Sequence, residues 1–482
     1  MNTFAHHLSR RGFMSWVGGG LASASLASLL TRDALAEHPE SPTASPHFAP
    51  RAKRAIHICL VGALSQVDSF DHKPDLARMH GKSLVASEKP DVFFGQVGLL
   101  RQSDWAFHRR GKSGLWVSDL FPHLAQRADD LCVINSMVAE TSNHTPAGFH
   151  QNTGFRLNGF PALGSWLSYG LGSESENLPA FVVIPDAREL PAGGAINWNN
   201  GFLPARHQGV VMRAGGAGPA VDDLFPARPV APGADAAARD LLAGMNRRHL
   251  ADRHDADPGG ALAAHIRSYE LAARMQLAVP EVTDLAGETE STREMYGLNG
   301  TETADFGRAC LLARRLAERG VRFVQLFSGG TFGSPRRNWD GHEDMVKNHA
   351  QEARRIDQPV AALLADLRQR GMLDDTLVLF TTEFGRTPFT QSAANVVGKG
   401  RDHNQYGFSV WLAGGGSRPG TAYGATDDVG WKSVVNPTQW HDFHATVLHL
   451  LGIDHERLTY YHNGIRRRLT NVHGEVVKGV LA

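Results

Sequence analysis

The stretch TLVLFTTEFGRTPFT, residues 376–390, decides the fold. It begins with a continuous apolar and β-branched run, Thr376 to Phe380, and carries the carboxylate of Glu383 just beyond that run. A short apolar run bounded by turn residues is typical of a strand covered on both faces of a parallel sheet. In open α/β sheets, ligands bind beyond the C-terminal ends of the strands. The stretch therefore predicts a buried strand that delivers an acidic group to a ligand-binding edge.

Similar runs recur along the chain and alternate with helical patterns. This alternation predicts an α/β fold with a mostly parallel central sheet flanked by helices. The further strand-like runs are AIHICLVG (55–62), LCVINSM (131–137), AFVVIP (180–185), VRFVQLF (321–327) and FSVWLAGG (408–415). The clearest helical patterns are residues 306–320, 346–371 and 438–452.

The composition is that of an ordinary globular protein of 482 residues, 42% of them hydrophobic. Lys plus Arg and Asp plus Glu number 49 each, so no overall field favours nucleic acid as a partner. The cysteines, Cys59, Cys132 and Cys310, lie in strand-like or helical runs and form no CxxC pair. We interpret them as small core residues.

The N-terminus has the order of a secretory signal peptide, with two arginines before a short apolar stretch and the small-residue end Ala34-Leu35-Ala36. Ser9-Arg10-Arg11-Gly12-Phe13-Met14 resembles the twin-arginine motif, which implies the twin-arginine export machinery as a partner and a periplasmic or exported bacterial protein. We expect a signal peptide over 1–36 and a linker over 37–52. No later run reaches the ~18–20 apolar residues of a transmembrane segment.

The remaining chain, 53–482, is predicted to be one α/β domain. Its rhythm breaks where Gly, Ala and Pro become frequent, as in GGAGPAV and PARPVAPGADAAA. We therefore expect an inserted cap over the sheet at about 190–300.

Acidic and histidine side chains follow several of the predicted strands. A single carboxylate after a strand is usually a helix cap or a solvated loop residue. Several such loops at one sheet edge instead supply the oxygen and nitrogen ligands that divalent metals require. The loops in question are GALSQVDSFDHKP, VAETSNHTPAGFHQNTG, SGGTFGSPRRNWDGHED, TEFGR and GKGRDHNQYG.

The signal, the loop GALSQVDSFDHKP, the elements WDGH, TTEFGRTP and GRDHN, and the tail DFHATVLHLLGIDHERLTYYHNG together resemble the DUF1501 proteins over nearly the whole chain after the signal. Those are exported bacterial proteins placed in the alkaline phosphatase and sulfatase superfamily. The resemblance implies one or two divalent ions of zinc, manganese, calcium or magnesium at the strand ends. The ligands that it implies are Asp68 (with Asp71 as a competitor), Asp340, His342, Glu383 and His403. The usual Asp-His-Gly of that superfamily stands here as Glu383-Phe384-Gly385.

The resemblance also implies a nucleophile at a helix N-terminus after the second strand. Thr141, Ser142 and Thr145 are the hydroxyls available there, and we expect Thr141, which is nearest the strand end. SNHTPAGFHQNTG is loosely similar to a phosphodiesterase-type stretch, from which a catalytic role for His144 is expected. The Cys-x-Pro-x-Arg element of formylglycine sulfatases is absent from the sequence.

The leading hypothesis is an exported metal-dependent hydrolase of phosphate or sulfate esters, not of the formylglycine type. Arg386 and Arg401 are expected to clamp the anion of a small ester or of a sulfated or phosphorylated glycan. The alternative is a degenerate relative that binds a glycan or a surface partner without turnover. Metal storage is disfavoured because the histidines are spread over several loops.

Overall fold

The structure is a computed structural model that describes residues 45–85, 90–216, 218–225, 232–253, 261–333 and 335–482. The expected signal peptide, 1–36, and the first part of the expected linker lie outside the described residues. The end of that linker is hydrogen-bonded to the C-terminal part of the chain, through His47 N to Gly452 O and Ala52 N to Leu450 O.

The strands in chain order are β1 (Arg54–Leu60), β2 (Phe107–Arg110), β3 (Leu115–Ser118), β4 (Leu131–Val138), β5 (Phe181–Ile184), β6 (Val210–Val211), β7 (Phe323–Ser328), β8 (Thr376–Thr382), β9 (Gly385–Thr390), β10 (Arg401–Asn404), β11 (Phe408–Ala413), β12 (Thr421–Tyr423), β13 (Ala425–Thr426), β14 (Ser433–Val435), β15 (Thr438–Gln439), β16 (Tyr460–His462) and β17 (Ile465–Arg467). The helices are α1 (Pro74–Arg78), α2 (His144–Thr153), α3 (Leu163–Leu171), α4 (Pro232–Asp252), α5 (Ala261–Thr283), α6 (Glu290–Met295), α7 (Ala304–Glu318), α8 (Met345–Gln369) and α9 (Trp440–Leu450).

Among the described residues, nine strands form the central sheet in the order β12-β4-β11-β8-β1-β7-β5-β6, with β15 also paired to β4. All neighbouring pairs are parallel except those that β11 makes with β8 and β4. The predicted fold class, a mostly parallel α/β sheet flanked by helices, is confirmed. The remaining strands form two-stranded pairs, of which β9–β10 matters for the site.

Both faces of the sheet are buried, which explains why its strands have continuously apolar sequences. Along β1, Ile56 and Ile58 belong to the core on one face, where α7 and α8 pack. Ala55 and Cys59 belong to the core on the other face, where α3 and α9 pack. Each fully buried aliphatic side chain of this kind stabilises the fold by roughly 1.5–3 kcal/mol.

Residues 190–300 contain the edge strand β6 and the helices α4, α5 and α6. Met275 and Val279 of α5 are buried in the same core as α7, so this helix packs beside the main body. An inserted cap over the sheet remains a prediction from the composition. No helix among the described residues is long and apolar enough to cross a membrane.

Strands β1, β4, β7 and β8 run in one direction, so their C-terminal ends lie at one edge of the sheet. The chain that follows each of these strands supplies the polar groups described below.

Candidate metal centre and active-site cleft

Four side chains from three parts of the chain converge beyond the strand ends. His144 is the first residue of α2, Asp340 and His342 lie in the loop between β7 and α8, and His403 lies on β10. One ligand atom of each lies within 4.8 Å of all the others, and His144 is half-buried whereas the other three are buried. We call these four residues the His3Asp cluster.

Hydrogen bonds fix the tautomers of two imidazoles. Nδ1 of His403 lies 2.6 Å from the carbonyl oxygen of Ser142, and Nδ1 of His342 lies against the amide oxygen of Gln391. Both oxygens only accept, so each Nδ1 carries the proton and each Nε2 presents its lone pair.

The third imidazole is oriented by Glu383. Its Oε1 lies 2.7 Å from Nδ1 of His144, so His144 donates from Nδ1 and also presents Nε2 to the cluster. The same Oε1 accepts the backbone N–H of Gly62 at 2.8 Å. A carboxylate behind a histidine is the usual support of a metal-binding imidazole. The structure thus places Glu383, predicted as a ligand, behind His144 instead of inside the cluster.

The resulting arrangement fits a divalent cation. Nε2 of His342 lies 2.8 Å from Nε2 of His403 and 2.7 Å from Oδ1 of Asp340. Nε2 of His144 lies 3.2 Å from the same oxygen. With the tautomers above, these four atoms direct electron pairs towards one another. Arg386 donates to two of them, Oδ1 of Asp340 at 2.6 Å and Nε2 of His342 at 3.4 Å, and a divalent cation would stabilise the arrangement further. Three imidazole nitrogens and one carboxylate oxygen suit zinc or manganese.

The charges around Asp340 keep its carboxylate ionised. Burial raises the pKa of Asp340, but the charge of Arg386 holds that pKa well below its ordinary value. Nη2 of Arg386 lies 2.6 Å from Oδ1, and Arg336 donates to Oδ2. Burial also holds the pKa of His403 well below its ordinary value, which favours the neutral imidazole that a metal requires.

The two arginines predicted to clamp an anion are fully buried and directed into the protein. Besides Asp340, Arg386 donates to the carbonyl oxygens of Gly62, Ala63 and Arg401. Arg401 donates to Asp68 Oδ2 at 2.9 Å and to four backbone carbonyls. Both guanidinium groups therefore brace the loops beneath the site.

Asp68, predicted as a ligand, forms this ion pair with Arg401 and accepts from Ser65 Oγ at 2.6 Å. Neither member of the pair is exposed. Its competitor Asp71 pairs with Lys73 at 3.1 Å and accepts from the hydroxyl of Thr426. The structure brings neither carboxylate into the His3Asp cluster.

The cluster lies on the floor of a cleft of about 990 Å³. Thr145, in the first turn of α2, is the hydroxyl of its loop that lines this cleft. Thr141, the predicted nucleophile, does not line it, and its Oγ1 accepts the backbone N–H of Asn143 at 3.2 Å. The aromatic and basic side chains that line the cleft include Phe93, Phe94, Phe332, Arg336, Arg337 and Lys347.

Sequence reasoning missed this basic and aromatic lining. Arg336 and Arg337 stand three or four residues before Asp340, inside the loop already singled out, and this proximity was a usable signal. Phe93 and Phe94 offered none, because they lie far from every predicted strand end in the sequence, whereas Phe332 lies in the same loop as the two arginines. Phe332 stacks on His144 with ring centroids 4.0 Å apart.

Gly62 permits the close approach on which the cluster depends. Its φ is +110°, and a Cβ there would lie 2.6 Å from the backbone nitrogen of Asp340. We predict that Gly62→Ala displaces Asp340 and abolishes tight zinc binding at the His3Asp cluster, as measured by competition with a chromophoric chelator.

Gly371→Ala is the matched control, because Gly371 also has a positive φ but an added Cβ meets nothing within 4 Å. It should lower the free energy of unfolding by about 1–2 kcal/mol through backbone strain and leave zinc affinity unchanged. Unaltered zinc affinity in Gly62→Ala would contradict the proposed geometry.

For the Asp68–Arg401 pair we predict an effect on stability and none on metal binding. Asp68→Asn leaves a buried, uncompensated guanidinium, so the free energy of unfolding in urea should fall by about 3 kcal/mol with bound metal unchanged. Asp375→Asn, in partly exposed pairs with Lys53 and Arg54, should cost less than about 1 kcal/mol. Loss of metal at unchanged stability would instead make Asp68 a ligand.

The solved structures to which this fold is similar include sulfatases and alkaline phosphatases. The PsFucS1 sulfatase from Pseudoalteromonas sp. is 12% identical, with a TM-score of 0.34, covering 84% of this chain and 68% of that one. The phosphonate monoester hydrolase SpPMH from Silicibacter pomeroyi is 12% identical, with a TM-score of 0.29, covering 83% and 73%. The alkaline phosphatase from the Antarctic bacterium TAB5 is 10% identical, with a TM-score of 0.31, covering 77% and 94%.

A search of curated proteins finds no match to this sequence. The family model described as a protein of unknown function, DUF1501, matches residues 52–481. The chain therefore belongs to the DUF1501 family.

Proposed function

We propose that the protein is an exported, metal-dependent hydrolase of phosphate or sulfate esters. The observation that carries this proposal is the presence, in one cleft, of the His3Asp cluster and of two cations without carboxylate partners. Arg337 and Lys347 line the cleft and are exposed, and neither forms an ion pair with a carboxylate among the described residues. An anionic ester bound over the cluster would neutralise them.

The lining favours an ester over a free inorganic anion. Phe93 and Phe94 are about half exposed, at 46% and 52%. Their rings lie 4.8 Å from those of His403 and His342, so they form an apolar wall beside the cluster. Such a wall suits the leaving group of an ester, whether a sugar or an aryl alcohol.

His144, Asp340, His342 and His403 would hold the metal. A divalent ion there supplies Lewis-acid polarisation of the phosphoryl or sulfuryl oxygen. Arg386 and Arg336 keep Asp340 ionised and in place, while Glu383 keeps Nε2 of His144 free of its proton.

Thr145 is the hydroxyl that we propose as nucleophile. It lies in the first turn of α2, where the backbone N–H groups have no intrahelical partner and the helix dipole favours negative charge. The same features support an anionic substrate near this end of the helix. Thr141 is engaged in its own turn, and Ser142 contributes a carbonyl to His403.

A non-catalytic relative that binds a glycan or another anionic partner is the second candidate. It is favoured by the 2.6 Å contact between Arg386 and Asp340, which already neutralises that carboxylate.

The proposal of export rests on Arg10-Arg11 and the apolar stretch after them, and the twin-arginine machinery is proposed as the export partner.

The test compares two threonines. The mature chain, loaded with zinc or manganese, should hydrolyse p-nitrophenyl phosphate or p-nitrophenyl sulfate. Thr145→Val should lower kcat/KM by about 10³-fold or more, because the nucleophile is removed, while Thr141→Val should retain activity. Substituting Lys347 by Ala should chiefly raise KM.

Metal-loaded protein that hydrolyses neither ester would contradict the enzyme proposal. Saturable binding of a sulfated glycan by such protein would then establish the non-catalytic candidate. Equal activities of the two valine variants would exclude Thr145 as the nucleophile.

A further inference from the structure

A second group of potential ligands lies at the far end of α2, outside the cleft. Glu140 follows β4, His150 lies on α2 and His441 lies in the first turn of α9. One ligand atom of each lies within 4.8 Å of the other two. His150 is six residues beyond His144, which is about 9 Å along the helix axis. We call these three residues the Glu-His-His group.

Three of the four nitrogen atoms of the two buried imidazoles have no hydrogen-bond partner among the described residues. His150 is 1% exposed, and neither ring nitrogen has a hydrogen-bond partner in the described structure. Nε2 of His441 donates to the carbonyl oxygen of Gly154 at 2.8 Å, which leaves Nδ1 as an unpartnered lone pair. Buried polar atoms are rarely left without partners, so these nitrogens point to a ligand.

Glu140 supplies the negative charge. Its Oε1 lies 3.7 Å from Nε2 of His150, and its Oε2 lies 3.1 Å from Nε of Arg156. The side chain is 39% exposed, so an ion can enter from solvent. Arg156 is about half exposed and can keep its contact with Oε2 while Oε1 turns to an ion.

We propose that Glu140, His150 and His441 form a second metal site, for zinc or a similar borderline divalent ion. Two imidazole nitrogens and one carboxylate oxygen form a common zinc ligand set, with water as the fourth ligand. Burial lowers the pKa of both histidines, in keeping with neutral imidazoles.

An ion there would tie the end of β4 to α2 and α9. The residues between Glu140 and His144 include Ser142, whose carbonyl oxygen fixes the tautomer of His403. The second site would therefore hold the loop that supports the His3Asp cluster, although its existence does not depend on ester hydrolysis.

The test is the zinc stoichiometry of the full mature chain, stripped with a chelator and titrated with zinc in equilibrium dialysis. Wild type should bind two zinc ions, and Glu140→Gln and His441→Ala should each bind one. His403→Ala should keep the ion of the Glu-His-His group, so Glu140→Gln combined with His403→Ala should bind none.

Glu475→Gln is the matched control, because it removes an exposed carboxylate whose backbone N–H donates to Asp442, the neighbour of His441 in the chain. It should bind two zinc ions. Since Glu140 is exposed, its substitution should leave the fold intact even if His441→Ala does not fold. The proposal is overturned if Glu140→Gln binds as much zinc as Glu475→Gln, or if wild type binds no zinc that survives His403→Ala. Absence of ester hydrolysis would contradict the proposed function but would not change the zinc stoichiometry of wild type or of the variants.

Discussion

The carboxylate of Asp340 is the interaction on which the site depends. One of its oxygens lies within 3.5 Å of three imidazole nitrogens and one guanidinium nitrogen. These four nitrogen atoms, which carry positive charge or can bind a metal ion, offset the free-energy cost of burying an ionised carboxylate. The carboxylate also draws α2, the loop after β7 and the β9–β10 pair to one point.

The parallel sheet makes this convergence possible, because it brings the ends of β1, β4, β7 and β8 to one edge. Glu383, just past β8, does not enter the cluster but holds the imidazole of His144 and the backbone of Gly62. Arg386, three residues later, reaches Asp340 itself. The segment after β8 thus holds the candidate ligands in place. The ligand atoms that it orients belong to other segments, to His144 on α2 and Asp340 in the loop after β7.

The sequence predicted the sheet well, since strands buried on both faces leave continuous apolar runs, as 376–382 shows. It also singled out Asp340 and His342 in the loop after one predicted strand and His403 shortly before another, and the family resemblance implied all three as ligands. It did not distinguish the residues that would bind a metal from the residues that hold those ligands in place. His144 was expected to act in catalysis and Glu383 to be a ligand. In the structure Glu383 accepts a hydrogen bond from Nδ1 of His144, and this bond leaves Nε2 free to face the cluster. Asp68 and Arg401 are 333 residues apart, and nothing local marks them as a pair.

The most direct measurement is anomalous scattering from crystals of protein purified without chelator, recorded on both sides of the metal's absorption edge. We predict a peak bonded to Nε2 of His144, His342 and His403 and to Oδ1 of Asp340. Crystals with no peak among these atoms, grown with zinc or manganese present, would contradict a metal centre. Asp340 would then be neutralised by Arg386 and protonated imidazoles alone.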